Sequence, residues 1–283
     1  MVEALHQHWP EYLIEGTLLG LFMISACMAV FAIQHPTSPI RRRITSAAAR
    51  RAIIGGLMGV TAVALIYSPW GQRSGAHMNP GTTLTFLALG KVKAWDAVFY
   101  IAAQFVGGLT GVWVSAAVLG PAIQHETVNY VVTGPGRGGA GAAWAGEFTA
   151  ALSMMVIVLV ASNHAVTAPY TGFFAGALLA LAITIEAPLS GTSINPARTL
   201  GSALPARSFR GLWVYFTAPP LAMLCGAGLY VLFTGPGQVY CAKLNHLGDA
   251  RCIFNCQIDR MPGWSMSPSL AHGIQHDVSD QHR

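Results

Sequence analysis

Two stretches of the chain begin a run of residues with the same pair, Asn-Pro. The first, GAHMNPGTTLTF, runs from Gly75 to Phe86, and the second, GTSINPARTLGSALPA, runs from Gly191 to Ala206. Asn caps a helix by accepting a backbone N–H, and Pro fits the first helical position, so each pair predicts a helix start. The side-chain amides of Asn79 and Asn195 still have hydrogens to donate, and their chemistry is hydrogen bonding to a small polar molecule.

A second group of chemically capable residues lies near the C-terminus, in CAKLNHLGDARCIFNC. It contains three sulfurs and one imidazole, which could close a tetrahedral zinc site: Cys241, His246, Cys252 and Cys256. The spacing matches no common zinc-finger pattern, so inert reduced thiols are the simpler alternative. The final stretch, AHGIQHDVSDQHR, is polar and predicts a solvated, disordered end.

The composition predicts a membrane protein, because 53% of residues are hydrophobic and only 10% are charged, against about 25% charged in soluble domains. Uncharged runs long enough for helical spans, which need about 20 residues, cover 16–40, 52–72, 97–124, 148–185 and 211–242. The polar patch at 161–169 divides the fourth run in two. We therefore expect an all-helical domain of six spans over residues 1–240 and a polar tail over 241–283.

The segments after Asn79 and Asn195 are too short to cross a bilayer. Each has about eleven uncharged residues, or half a bilayer at about 1.5 Å per residue. Irregular backbone at membrane depth must be buried in protein or line a water-filled cavity. If these half-helices enter from opposite faces, their positive N-terminal ends meet, repel cations and admit neutral molecules. A simple loop turn is the alternative, which two occurrences disfavour.

Two glutamates accompany the two Asn-Pro segments. Glu15 lies in the first span and Glu147 opens the fourth. Ionisable residues in spans are costly and usually functional. We expect each carboxylate to accept hydrogen bonds from a re-entrant loop, within an inverted repeat. For Glu147, an interfacial position at a helix end is the alternative.

With these residues in place, the two motifs resemble the signature loops of the aquaporin (major intrinsic protein) family, over about residues 11–233. The resemblance implies passive conduction of water or small neutral solutes, a homotetramer with one pore per subunit, and both termini on the cytoplasmic side of the plasma (inner) membrane. It assigns Asn79, Pro80, Gly81, Asn195, Pro196 and Ala197 to the pore centre, Arg198 to the selectivity filter, and Glu15, Glu147 and His77 to loop support. Gly81 replaces the family's usual Ala, and we expect a slightly looser centre.

The same resemblance gives the other filter positions as Thr192, Ile183 and a second-span residue. Counting back from Asn79 gives Gly59, or Met58 if the intervening loop is one residue longer. Either choice lacks the bulky aromatic of strict water channels, and Ile183 stands where those channels carry His. A filter this wide and apolar resembles those that pass glycerol, urea or undissociated metalloid acids.

Other functions remain as alternatives. A strict water channel is one, and an ion-coupled transporter using Glu15 or Glu147 is another. We expect no enzyme, because no nucleophile and base lie together, no nucleic-acid partner, and no cofactor other than the possible zinc. The basic loop containing Arg41, Arg42, Arg43, Arg50 and Arg51 opposes the topology implied by the resemblance, because positive loops usually stay inside.

Overall fold

The structure is a computed structural model that describes residues 1–247 and 250–264. Within these ranges all regular structure is helical. The ten α-helices are α1 Val2–Gln34, α2 Pro39–Arg43, α3 Ala47–Tyr67, α4 Pro69–Ser74, α5 Pro80–Ala88, α6 Ala94–Leu119, α7 Gly139–Ser162, α8 Thr171–Ser190, α9 Pro196–Ala206 and α10 Leu212–Thr234. The stretch AHGIQHDVSDQHR, for which disorder was expected, lies outside the described residues.

Six of these helices, α1, α3, α6, α7, α8 and α10, are long and apolar enough to cross a membrane. This number confirms the six predicted spans. The half-length segments form α5 and α9, which have 9 and 11 residues. The expected architecture of six spans and two half-helices is therefore confirmed.

The first helix begins earlier than the uncharged run suggested. It starts at Val2, ahead of the uncharged run that begins at Gly16, and so includes Glu3, Glu11 and Glu15. Glu11 is buried and accepts a hydrogen bond from Arg73 Nε at 2.9 Å. With 33 residues, α1 is about 50 Å long at 1.5 Å per residue. Its first turns must therefore project beyond a hydrocarbon core of about 30 Å.

Glycines allow the long helices to approach closely. A Cβ atom added to Gly107 of α6 would lie 1.9 Å from the carbonyl oxygen of Gly16 in α1. A Cβ on Gly59 of α3 would lie 2.5 Å from the carbonyl oxygen of Gly176 in α8. These separations exclude any side chain, so the small residues fix the α1–α6 and α3–α8 contacts.

The two halves of the chain are interlocked through the half-helices. Half-helix α5 packs against α10 of the second half, and α9 packs against α6 of the first half. Residues 239–247 and 250–264, which we call the tail segment, lie across one end of the bundle, beside the loops that flank α5. We call this end the tail face and the other end the opposite face. The tail-face loop 75–79 leads into α5, and the opposite-face loop 191–195 leads into α9.

Candidate pore and tail metal site

Each half-helix is capped by the Asn of its Asn-Pro pair. The side-chain oxygen of Asn79 accepts the backbone N–H of Gly81 at 2.9 Å. The side-chain oxygen of Asn195 accepts from Ala197 at 3.0 Å and from Arg198 at 3.2 Å. Pro80 and Pro196 occupy the first helical position. The caps therefore form as the residue types require.

The two caps meet in the middle of the molecule. The Nδ2 atom of Asn79 donates to the carbonyl oxygen of Ile194 at 2.8 Å, and Nδ2 of Asn195 donates to the carbonyl oxygen of Met78 at 2.6 Å. Met78 and Ile194 precede the two asparagines and have positive φ values of 50° and 57°. Non-glycine residues rarely adopt this conformation. The matching pair indicates that the same strained loop conformation occurs before both asparagines.

Two buried carboxylates hold the strained loops. Glu15 accepts the backbone N–H of Met78 and, at 3.0 Å, the side-chain amide of Gln104. Glu147 accepts the backbone N–H groups of Ser193 and Ile194, each at 2.6 Å. The structure thus brings each predicted glutamate to its own loop. Both side chains are fully buried, so neither lies at an interface with solvent.

His77 is in contact with the tail as well as with the first loop. Its Nε2 atom lies 2.9 Å from the carbonyl oxygen of Ala242, which can only accept, so this nitrogen carries the proton. Its Nδ1 atom lies 3.1 Å from the hydroxyl of Thr83. The ring is stacked between Phe86 and Phe254, with centroids 5.2 and 5.3 Å away. The loop-supporting position expected for His77 therefore has a partner that the sequence did not suggest.

The space beside Gly81 differs from the expectation of a looser centre. A Cβ atom at Gly81 would lie 2.8 Å from the sulfur of Met223. Met223, which is fully buried, therefore occupies the volume that an alanine methyl would need. The expectation was wrong on this point because a flexible side chain of α10 fills the gap.

A cavity of about 370 Å³ opens from the opposite face. Its lining includes four of the residues considered for the filter, which are Met58, Ile183, Thr192 and Arg198. Gly59 is absent from this lining because its Cα faces Gly176 across the α3–α8 contact. Of the two second-span candidates, Met58 therefore borders the cavity and Gly59 does not.

Arg198 and Thr192 differ in whether they have a hydrogen-bond donor free for a solute. Among the described residues, the Nη1 atom of Arg198 is buried without a hydrogen-bond partner. The hydroxyl of Thr192 donates to Glu186 Oε2 at 2.5 Å. A buried donor without a partner is costly, so this nitrogen of Arg198 can gain a hydrogen bond from an oxygen that enters the cavity.

Two polar residues of the site were missed in the sequence. Glu186 lies in α8 directly beyond the uncharged run that ends at Ile185, and this charge at the end of a span was the available signal. Gln104 lies inside α6, where a fully buried amide links Glu15 to Thr83 at 3.0 and 3.1 Å. A lone Gln within an apolar run gives a weaker signal.

The four tail residues proposed as ligands lie together. One donor atom from each of Cys241, His246, Cys252 and Cys256 falls within 4.8 Å of all the others. The Sγ atoms of Cys241 and Cys252 are 3.6 Å apart, and Nε2 of His246 lies 3.0 Å from Cys241 Sγ and 3.3 Å from Cys256 Sγ. This cluster could bind a metal ion.

The environment of the cluster changes the pKa of its members in different directions. Burial raises the pKa of the Cys241 thiol. Hydrogen bonds from the thiols of Cys241 and Cys256 lower the pKa of Cys252, in the direction that a thiolate ligand needs. Burial also lowers the pKa of Lys243, whose ammonium donates to the carbonyl oxygens of Ala250 and Arg251 at 2.8 and 2.9 Å.

Six apolar spans and two half-helices that meet through their asparagine caps define a multi-pass membrane protein with the aquaporin fold. A family model described as Major intrinsic protein matches residues 4–232. The chain therefore belongs to the major intrinsic protein family.

Relatives and a solved structure agree with this membership. Aquaporin NIP6-1 of Arabidopsis thaliana is 38% identical over 179 residues, which cover 62% of this chain and 56% of that protein. Aquaporin NIP2-3 of Zea mays is 32% identical over 215 residues, covering 75% of this chain and 69% of that protein. The chain thus spans little more than half the length of the first relative. An X-ray structure of the aquaglyceroporin from Plasmodium falciparum has the same fold, with a TM-score of 0.63 and 16% identity over 79% of this chain and 96% of that one.

Proposed function

We propose that the chain is a passive channel for water and small uncharged solutes, of the glycerol, urea or metalloid-acid type. The observation that carries this proposal is the reciprocal bonding of Asn79 and Asn195 across the meeting point of the half-helices. Each amide nitrogen has two hydrogens, and this bonding uses one of them. The second can donate to the oxygen of a molecule in transit, at a point where neither donor can turn away. Family membership likewise implies a channel instead of an enzyme.

The exclusion of ions follows from the charges at two points. The N-terminal ends of α5 and α9 both point to the centre, where their partial positive charges oppose a cation or a hydronium ion. Arg198 adds a full positive charge at the cavity on the opposite face. Its fixed guanidinium orients an oxygen of a neutral solute and repels cations.

The choice of solute follows from the proposed filter of Met58, Ile183, Thr192 and Arg198. Met58 and Ile183 are aliphatic, and neither offers the ring of Phe or His that would narrow the passage. An aliphatic wall facing one cationic donor suits a molecule with a carbon side and a hydroxyl or amide side. Glycerol and urea have this character, and boric acid presents hydroxyl groups to the same donor.

Re-swelling of proteoliposomes tests the proposal. Vesicles containing the full chain are shrunk by an osmotic step of glycerol, urea or boric acid, and light scattering then follows solute entry in a stopped-flow instrument. We expect fast shrinkage and protein-dependent re-swelling with at least one solute, and a rate that is linear in the solute gradient. Equal impermeability to all three would refute the solute proposal and leave the strict water channel.

A coupled transporter is less well supported by the same contacts. Glu15 and Glu147, which would have to carry a coupling proton or ion, are committed to the backbone of the two loops. A flux that saturates and responds to a proton gradient would nevertheless favour transport.

For the assembly and orientation, we propose a homotetramer in the plasma (inner) membrane with both termini in the cytoplasm. The basic loop between α1 and α3 still opposes this orientation by charge, although some of its arginines are engaged by backbone carbonyls. Arg50 Nη1 donates to Ile44 and Thr45 at 2.8 Å, and Arg41 donates to Gln34. Native mass measurement in detergent tests the tetramer, and protease access to the tail in sealed vesicles tests the orientation.

For the tail cluster, we propose a structural zinc ion held by Cys241, His246, Cys252 and Cys256. Zinc bonds of about 2.3 Å to sulfur and about 2.0 Å to nitrogen place tetrahedral ligands about 3.8 Å apart for two sulfurs and about 3.5 Å apart for sulfur and nitrogen. The separations of 3.6, 3.0 and 3.3 Å lie within about 0.5 Å of these values. Elemental analysis of protein purified without a His-tag tests the ion, and far less than one zinc per chain would refute it.

A further inference from the structure

The tail segment contacts the loops on both sides of half-helix α5. At the start of α5, the backbone N–H of Leu244 donates to the carbonyl oxygen of Gly75 at 3.2 Å. After α5, the backbone N–H of Asn255 donates to the carbonyl oxygen of Lys91 at 2.9 Å, and its side-chain amide donates to the carbonyl oxygen of Gly90 at 2.7 Å. A single short segment thus fixes both the loop that leads into α5 and the loop that leaves it.

A buried chain of hydrogen bonds runs from the tail to the pore centre. The carbonyl oxygen of Ala242 accepts from His77, whose other nitrogen faces the hydroxyl of Thr83. Thr83 accepts from Gln104, and Gln104 also donates to Glu15, which holds the loop before Asn79. Linked buried hydrogen bonds of this kind strengthen one another, so breaking one of them also weakens its neighbours.

The proposed zinc ligands alternate along the chain with the residues that make these contacts. Cys241 precedes Ala242, and Cys252 and Cys256 bracket Phe254 and Asn255. Between Val239 and Trp264, the described residues form no helix or strand longer than the single turn Ile258–Arg260. A segment with so little regular structure needs a staple to stay ordered. The four ligands supply one at the positions where the contacts are made.

We propose that the metal-bound tail is a clamp on the first half-helix, with Ala242 and Phe254 acting through His77 as positioning residues for the Asn79 loop. The inference rests on the zinc site proposed above and is independent of which solute the channel passes. Loss of the metal frees the contacts of Phe254 and Asn255, and the loops flanking α5 then open more often.

Hydrogen exchange of the full chain in detergent, read on peptides covering residues 75–92, tests the clamp. With zinc bound, removal of the metal by a chelator should raise exchange in this segment by about tenfold, the change that loss of one net hydrogen bond gives, and added zinc should reverse it. Peptides covering the C-terminal end of α8, residues 181–190, which lead to the opposite face, should not change. The water permeability of the same protein in liposomes should fall and recover in parallel.

Two variants and a control separate the clamp from the zinc site. Phe254→Ala keeps all four ligands, so it should retain about one zinc per chain and still show faster exchange at 75–92. Cys252→Ser should lose the zinc and show the same faster exchange. Cys225→Ser, which changes an exposed thiol of α10, should match the wild type. Stoichiometric zinc with exchange at 75–92 unchanged by the chelator would overturn the clamp and leave the zinc site standing. Wild-type protein with little zinc would overturn both, without bearing on the channel.

Discussion

The contact between α3 and α8 predicts that Gly59→Ala destabilises the protein by crowding. The new Cβ would lie 2.5 Å from the carbonyl oxygen of Gly176 and 3.1 Å from the Cβ of Ala180. To reach even 3.4 Å, the lower end of ordinary contact, the helices must separate locally by about 0.9 Å. Overpacking of this kind costs about 1–3 kcal/mol. Gly59→Ala should therefore lower the temperature at which helical circular dichroism and the monodisperse protein in detergent are lost.

Gly56→Ala is the matched control for this substitution. Gly56 lies one turn earlier in α3, and nothing lies within 4 Å of a Cβ added there. Alanine should be neutral at this position, or stabilising by up to about 1 kcal/mol through its helix propensity. Equal melting temperatures for the two variants would refute the close packing of α3 on α8. A change in solute selectivity in Gly59→Ala, without loss of stability, would restore Gly59 to the filter.

Two further predictions concern the loop glutamate and the filter. Glu147→Gln retains one oxygen and leaves one of the two loop N–H groups, of Ser193 or Ile194, without its acceptor, at a cost of about 1–3 kcal/mol. Glu147→Ala leaves both unpaired and should cost about twice as much, and thermal stability in detergent compares them; equal losses would contradict the bonding described. Met58→Phe should narrow the cavity and reduce glycerol re-swelling more than water flux in proteoliposomes, whereas equal reductions would remove Met58 from the filter.

The sequence was sufficient to predict the half-helices and their partners. Asn-Pro predicts a helix start wherever it occurs, and the eleven or so uncharged residues that follow set the length of each half-helix. The glutamates were found because a charge within an apolar span needs a partner, and the backbone of a bent loop is the partner that the repeat offers. These inferences depend on residue types and on the length of apolar runs relative to the bilayer, and both can be read from the sequence.

Other features depend on three-dimensional packing that the sequence does not encode locally. The choice between Met58 and Gly59 depends on one residue of loop length. Neighbouring residues of a helix point about 100° apart, so this difference decides which side chain faces the cavity. The burial of Glu11 in α1 depends on its pairing with Arg73, sixty-two positions away. Two other contacts also involve residues far apart in the sequence. Met223 fills the space beside Gly81, and His77 contacts the tail. The four tail ligands were named from their types alone, but their convergence required the fold.

We propose that an aliphatic filter lets this channel pass small neutral solutes, and Ile183→His tests this proposal most directly. Stopped-flow light scattering on proteoliposomes gives the ratio of glycerol permeability to water permeability for the wild type and the variant. We predict that the ratio falls severalfold in Ile183→His while water permeability is largely retained, because the imidazole narrows the cavity beside Arg198 without touching the asparagine caps. An unchanged ratio, or a wild type that passes water and no glycerol, urea or boric acid, would contradict the account.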